Sequence, residues 1–300
     1  MNAQTARIQF AVIVSFVFIY INTVMFVTLY SKPLLRDTPR YVLFANMIFT
    51  DSIQLVSSSV LNIIIFLFTS PGPKVACSFL MLVAASTTRN APLNLAVMSL
   101  ERYAAICFPL RHKELATVKR TYVAIAAIWF LGFVNSVIDS VYTSVTDPVF
   151  FTEQIICDRQ SIITTPWQRS FDQAIDAVYY ISVTLTIFYS YIRIMAVARS
   201  LSSNAKSAGK ARRTLLLHLV QLLPCLNTLA YGYIISFIAA TLSLSAFLEA
   251  RYVIYLLFIL IPRCLSPLVY GLRDDTLRGL YVYYFKCGLC GSKPKVNIHS

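Results

Sequence analysis

The chain has 300 residues, of which 57% are hydrophobic and only 13% charged, whereas soluble domains run near about half apolar and about a quarter charged. Lipid is therefore the expected solvent, because apolar stretches of about 20 residues, each able to cross a bilayer core of roughly 30 Å, recur from end to end. The formal charge of +13 would suit nucleic acid, but the basic residues are scattered between apolar runs and form no patch with interleaved aromatics, which excludes a nucleic-acid partner and makes them topology signals.

In chain order, seven spans can be drawn. The first four run from Ile8 to Tyr30, Tyr41 to Thr69, Cys77 to Phe108 and Thr121 to Tyr142; Phe171 to Ala198, Thr214 to Leu242 and Arg251 to Gly271 complete the set. Polar punctuation separates them: Ser31 to Arg40, Ser70 to Lys74 with the helix-breaking run S-P-G-P-K, Arg111 to Arg120, the long stretch Thr143 to Ser170, Arg199 to Arg213, and a short turn near Glu249. Little chain is left for a water-soluble domain, so residues 1–300 read as a single all-α membrane domain, a seven-helix bundle, with 272–300 as its tail. The few residues before the first span are too short for a cleavable leader with its own apolar region, and that span is expected to act as signal and anchor. In the tail, Leu277, Leu280, Tyr281 and Tyr284 recur at i, i+3, i+4 and i+7, the stripe of a helix lying on membrane lipid. Cys287 and Cys290 follow, either as palmitate anchors or as plain reduced thiols.

Loop Lys and Arg favour the cytoplasmic side. One side carries seventeen of them, against five on the other, namely Arg7, Lys74, Arg159, Arg169 and Arg251. The N-terminus is expected outside and the C-terminus in the cytoplasm, as an odd number of spans requires, in a multi-pass protein of the plasma membrane. On that topology Cys77, at the outer end of span three, and Cys157, in the longest outer loop, face an oxidising compartment where a disulfide persists. Cys107, Cys225 and Cys264 lie in or inside the membrane. A Cys77 to Cys157 bond would pin the loop over any pocket beneath; the alternative is two unpaired surface thiols.

Near the inner end of span three stands Ser99-Leu100-Glu101-Arg102-Tyr103, followed by Ala105-Ile106-Cys107-Phe108-Pro109-Leu110-Arg111-His112. Span seven ends in Ser266-Pro267-Leu268-Val269-Tyr270-Gly271-Leu272-Arg273, and Lys210-Ala211, Thr214 and His218 open span six. With Asn22, Asp51 and Trp129 in the marker places of spans one, two and four, nearly the whole chain resembles the rhodopsin-like G-protein-coupled receptors, and within them the fish-type odorant receptors. Departures from the pattern are Ser266 in place of the Asn of N-P-x-x-Y, Val183 where span five usually has Pro, and the absence of an N-x-S/T sequon.

The resemblance implies a small-molecule odorant bound in the outer half and a heterotrimeric G protein at the inner face. It assigns the switch to Glu101, Arg102, Tyr103, Tyr191, Pro267 and Tyr270: the Glu101 and Arg102 pair holds the resting state, and protonation of Glu101 with helix motion frees Arg102. A purely structural pair at the membrane boundary is the plain alternative. His218, alone on an apolar face, fits a satisfied core residue better than a sensor.

For the ligand, Arg89 lies thirteen residues outward of Arg102, at pocket depth, near Ala85 and Thr88. Asp139, Asp172, Asp176 and Tyr252 are the other outer-half candidates, and Asp172 and Asp176 share a helix face. Arg89 would be neutralised by a charged odorant or by Asp176 or Asp139. Ala84 stands where amine receptors keep an Asp, which argues against an aminergic receptor; a small polar or anionic water-borne ligand fits. Relatives commonly hold sodium near Asp51, but Ala91, Pro262 and Ser266 weaken the ligand set here. Arg263, about one turn before Pro267, is expected to take the ion's place and pair with Asp51, with Asn22 donating a further hydrogen bond; the alternative is an Arg263 reaching water.

Other classes fit less well. Transporters often show repeated halves, and none is visible. An enzyme would need chemistry that is not written here, since no H-E-x-x-H, G-x-S-x-G or acidic metal cluster appears in the spans, and no catalytic residue, metal or cofactor is expected. A non-sensory rhodopsin-like receptor for a peptide or lipid stays open at this stage.

Overall fold

The computed structural model describes residues 3–67, 72–155, 157, 159–163, 165–200, 233–235 and 237–273. Its long apolar runs fold as helices, the form in which backbone N–H and C=O groups are satisfied within one segment in lipid. These are α1 (Ala3–Tyr30), α3 (Pro39–Leu67), α4 (Lys74–Cys107), α6 (Val118–Thr146) and α8 (Pro166–Ser200), joined by the single turns α2 (Pro33–Arg36), α5 (His112–Leu115) and α7 (Arg159–Ile162). The last span is α9 (Leu244–Tyr255), a π turn (Leu256–Leu260) and α10 (Ile261–Arg273). Pro262 has no N–H to give the carbonyl four residues back, and the chain widens into π geometry directly before it.

Among the described residues, five helical segments are long and apolar enough to cross a membrane: Ala6–Tyr30, Pro39–Ile64, Val118–Thr146, Pro166–Val197 and Glu249–Val269. Their outward faces are apolar, with Phe16, Phe130, Leu185 and Phe188 all exposed, as lipid-facing helices require. Helix α4 has the length, at 34 residues, but Ser86, Thr87, Arg89, Asn90 and Asn94, all buried, dilute its apolar character. It stands at the bundle centre against α3, α6 and α8, so those polar groups face protein. Trp129 of α6 donates to Asn46 (3.0 Å), Asn46 to Asn94 (3.2 Å) and Asn94 to the Leu43 carbonyl (3.1 Å), which ties the three helices together. At the inner end Met25, Leu29, Leu43, Phe44, Met47, Leu95 and Met98 form the main apolar core. Gly132 of α6 admits the Asn90 side chain, whose Oδ1 would lie 1.9 Å from a Cβ there.

The described residues are mostly helical, and at the outer rim they add one short strand pair. Gly72–Pro73 (β1) and Gln154–Ile155 (β2) pair antiparallel, Gly72 opposite Ile155, so part of S-P-G-P-K is a strand and not merely a break. The turn expected near Glu249 lies instead at Ser243, ahead of α9; Glu249 and Arg251 belong to a helix that continues outward, where Glu249 pairs with Arg7 at 2.5 Å. The loop from Thr143 to Ser170 is also shorter than expected, since α6 runs on to Thr146 and α8 starts at Pro166. Most of span six falls outside the described residues, with 237–241 helical. His218, Cys225, the tail stripe from Leu277 to Tyr284, Cys287 and Cys290 lie outside them too.

Cys77 and Cys157 are bonded, with Cα atoms 5.4 Å apart and a separation of 80 positions in sequence. Closing a loop of that length is worth roughly 4 kcal/mol on the chain-entropy model. Peptide mapping without reduction is expected to recover the two cysteines as one linked pair; recovery of both as free thiols would refute the bond.

Beside this bond, buried Lys74 donates to Asp147 at 2.5 Å and to Glu153 at 2.6 Å. Burial pulls the Lys74 ammonium down, but the two hydrogen bonds outweigh it and hold its pKa above the ordinary value. The bond from Lys74 in turn holds Asp147 below the usual carboxylate range. A depressed carboxylate contributes stability above its unfolded pKa of about 3.9, and that contribution is lost as pH falls through the folded value; a raised lysine contributes below about 10.4 and loses it as pH rises. The clamp is therefore intact across neutral pH and opens only in strong acid or strong base. Lys74→Met is expected to speed proteolytic nicking of the 147–153 loop at neutral pH; an unchanged rate would contradict the clamp.

Candidate functional site

Three groups of polar residues are set into the bundle. At the inner end of α4, Glu101 is largely buried and Arg102 lies beside it, with Nε 3.8 Å from Glu101 Oε2. His112, in α5, approaches Glu101 Oε1 at 3.3 Å, a partner that sequence reading missed because it lies across the helix end. Tyr103 meets Tyr189 of α8 edge to face, ring centroids 5.8 Å apart. Tyr191 packs on Ala96, Val183 and Ile187. Pro267 is buried within α10, and Tyr270 follows on the same helix.

At mid-bundle, Arg263 Nε of α10 stands 3.3 Å from Asp51 Oδ1 of α3, both side chains 1% exposed. Ser266 donates to its own helix at Pro262 O (3.1 Å). Asn22 is fully buried on α1, but neither atom of its amide has a hydrogen-bond partner among the described residues. The further hydrogen bond expected from it is not formed: Arg263 approaches Asp51 from α10 without α1.

In the outer half, α4, α6 and α8 bring together Arg89, Asp139, Asp172 and Asp176. Arg89 is 3% exposed. Its Nη2 donates to Asp172 Oδ1 (2.5 Å), its Nε to Asp176 Oδ1 (2.7 Å) and its Nη1 to Ser136 Oγ (2.9 Å). The i, i+4 spacing of the two Asp residues matches the guanidinium fork, whose donors diverge. Asn135 also donates to Asp172 Oδ1 (2.6 Å), and Arg159 from the outer loop reaches Asp172 Oδ2. An anion would have to displace carboxylates to reach Arg89. The Asp139 carboxylate, by contrast, makes no hydrogen bond or ion pair among the described residues, and its Oδ1 is buried.

Other expected pocket residues are elsewhere. Thr87 and Thr88 both donate to Gln54 Oε1 of α3, the bond from Thr88 being 3.2 Å long. Tyr252 donates to the Arg7 carbonyl at 3.1 Å, with the Arg7 guanidinium over its ring. Ala85 is half-buried on α4. Asn135, Ser136 and Arg159 were missed; the first two stand one turn and just under one turn before Asp139 on α6, a helical spacing readable beforehand.

The sequence model of the seven-transmembrane receptors of the rhodopsin family matches residues 21–270. The chain is 31% identical over 279 residues to odorant receptor 131-2 of Danio rerio, an alignment covering 91% of this chain and 84% of that one. It is 24% identical over 298 residues to human olfactory receptor 11H4, covering 91% and 86%, and 25% identical over 294 residues to human olfactory receptor 4Q2, covering 92% and 88%.

Proposed function

The chain belongs to the rhodopsin family of seven-transmembrane receptors, a family of multi-pass membrane receptors and not of enzymes, and we propose that it is an odorant receptor that couples a small water-borne ligand to a heterotrimeric G protein. One observation carries this reading: a Glu101–Arg102 pair at the inner end of the central helix, in a chain whose similarity to odorant receptors spans nine-tenths of its length. The pair is in the place where an arginine can leave its carboxylate and meet a partner at the inner face. The outer half supplies a polar, charge-bearing region under a disulfide-tethered loop. On this reading the N-terminus lies outside and the C-terminus inside, which the excess of loop Lys and Arg on one side supports.

The Asp51 and Arg263 contact belongs to this reading as the element that fills the central polar site between α3 and α10. The experiment is a panel of water-soluble odorants applied to cells expressing the full chain, read through cyclic AMP. A saturable response to at least one odorant, absent from untransfected cells, is expected. Silence across the panel at normal surface expression would count against a chemosensory role.

A further inference from the structure

We propose that the cluster between α4, α6 and α8 is an ammonium subsite, so that the ligand is a small primary amine. The inference rests on the reading of the outer half as the ligand region and names its ligand class.

The charges near Asp139 are those of Asp172, Arg159, Arg89 and Asp176. Two cations thus face three carboxylates, an excess of one negative charge. The partners are unevenly shared. Asp172 takes Arg89, Asn135 and Arg159, and Asp176 takes Arg89. Asp139 takes none among the described residues, although it is only 6% exposed. A carboxylate in that position is strongly unfavourable until a cation or a proton reaches it.

The second observation is independent of the charge count. Asn135 lies one turn before Asp139 on α6, on the same face. Its amide N–H is spent on Asp172, and its Oδ1, an acceptor, is buried with no donor among the described residues. Two orphan acceptors on one helix face call for a ligand made of donors. A primary ammonium is a compact cation with several N–H bonds and no acceptor; a carboxylate ligand would supply further acceptors and meet the excess negative charge. Asp176 is the most open of the three carboxylates, and Arg159 at the loop is more open still. Ala84 excludes the usual span-three counterion, but it does not bear on a carboxylate supplied by the fourth span.

The test uses the purified full-length receptor near neutral pH and constant ionic strength, titrated with methylammonium chloride and, separately, tetramethylammonium chloride, which has the charge but no N–H. Thermal midpoint and calorimetric heat are read together, since a ligand that binds only the folded state raises the midpoint. Methylammonium is expected to stabilise saturably and tetramethylammonium not to. Asp139→Asn keeps the side chain's size and is expected to weaken methylammonium by about tenfold or more. If that variant does not fold, the contrast between the two cations on the unaltered receptor decides. Equal effects of both cations overturn the proposal. So does a D139N receptor that titrates like the parent, or a midpoint that moves with protons and not with methylammonium. If neutral or anionic odorants evoke signalling while methylammonium does not bind, the subsite falls and the receptor reading stands. If methylammonium binds and no odorant of any charge signals, the receptor reading falls and the subsite stands.

Discussion

Arg102→Ala is expected to abolish ligand-evoked cyclic AMP while leaving most of the receptor at the cell surface. The side chain is 23% exposed, and its nearest acidic contact, to Glu101, is 3.8 Å long. A partly exposed pair of that length is worth at most about 1 kcal/mol to folding. Its loss also does not strand Glu101, which keeps His112 at 3.3 Å. Stability therefore changes little, and the loss should fall on coupling, where the guanidinium supplies a fixed fork of donors that alanine lacks. Surface labelling and cyclic AMP measured on the same cells separate the two. A normal response in the variant would refute the switch assignment, and loss of surface receptor would show that the pair is structural.

Breaking the Asp51 and Arg263 contact should have the largest effect on stability. Both side chains are almost wholly buried, and removing one partner of a buried pair strands the other at a cost of about 3–5 kcal/mol. Asp51→Ala and Arg263→Ala are each expected to lower the thermal midpoint sharply. The exchange of Asp51→Arg with Arg263→Asp should recover part of the loss, because the two groups face each other across α3 and α10. A double exchange no better than the worse single variant would show that the contact contributes nothing. A sodium-dependent ligand affinity in the unaltered receptor would count against the proposal that the guanidinium takes an ion's place beside Asp51.

The described helices were legible because lipid forces a simple pattern: apolar runs of bilayer length, broken by Pro, Gly and charge. Span three was legible despite its Arg and Asn because it opens with Cys77 and closes on Glu101 and Arg102. Residues were misread where a partner distant in sequence changes their meaning. Glu249 looked like the polar punctuation of a turn; Arg7, at the far end of the chain, makes it part of a helix that projects outward. Gly72 and Pro73 looked only like breakers, and Gln154 and Ile155 make them a strand.

The outer cluster was half visible. Arg89, Asp139, Asp172 and Asp176 stand out as charges in apolar helices, but their pairing depends on three helix rotations that no local pattern records. Asn135 and Ser136 are ordinary polar residues until Arg89 and Asp172 are placed beside them. The same placement separates Thr88, turned to Gln54, from the group it was expected to join. It also decides between the two readings left open for Arg89, a charged odorant or an internal Asp: the arginine is neutralised by Asp172 and Asp176, and Asp139 is left over.

Odorant-driven nucleotide exchange on a heterotrimeric G protein, measured with purified receptor in lipid, tests the receptor reading most directly. Exchange that rises with odorant and is absent in the Arg102→Ala receptor is expected. A ligand-gated current in cells lacking G proteins, with no odorant-driven exchange, would contradict it.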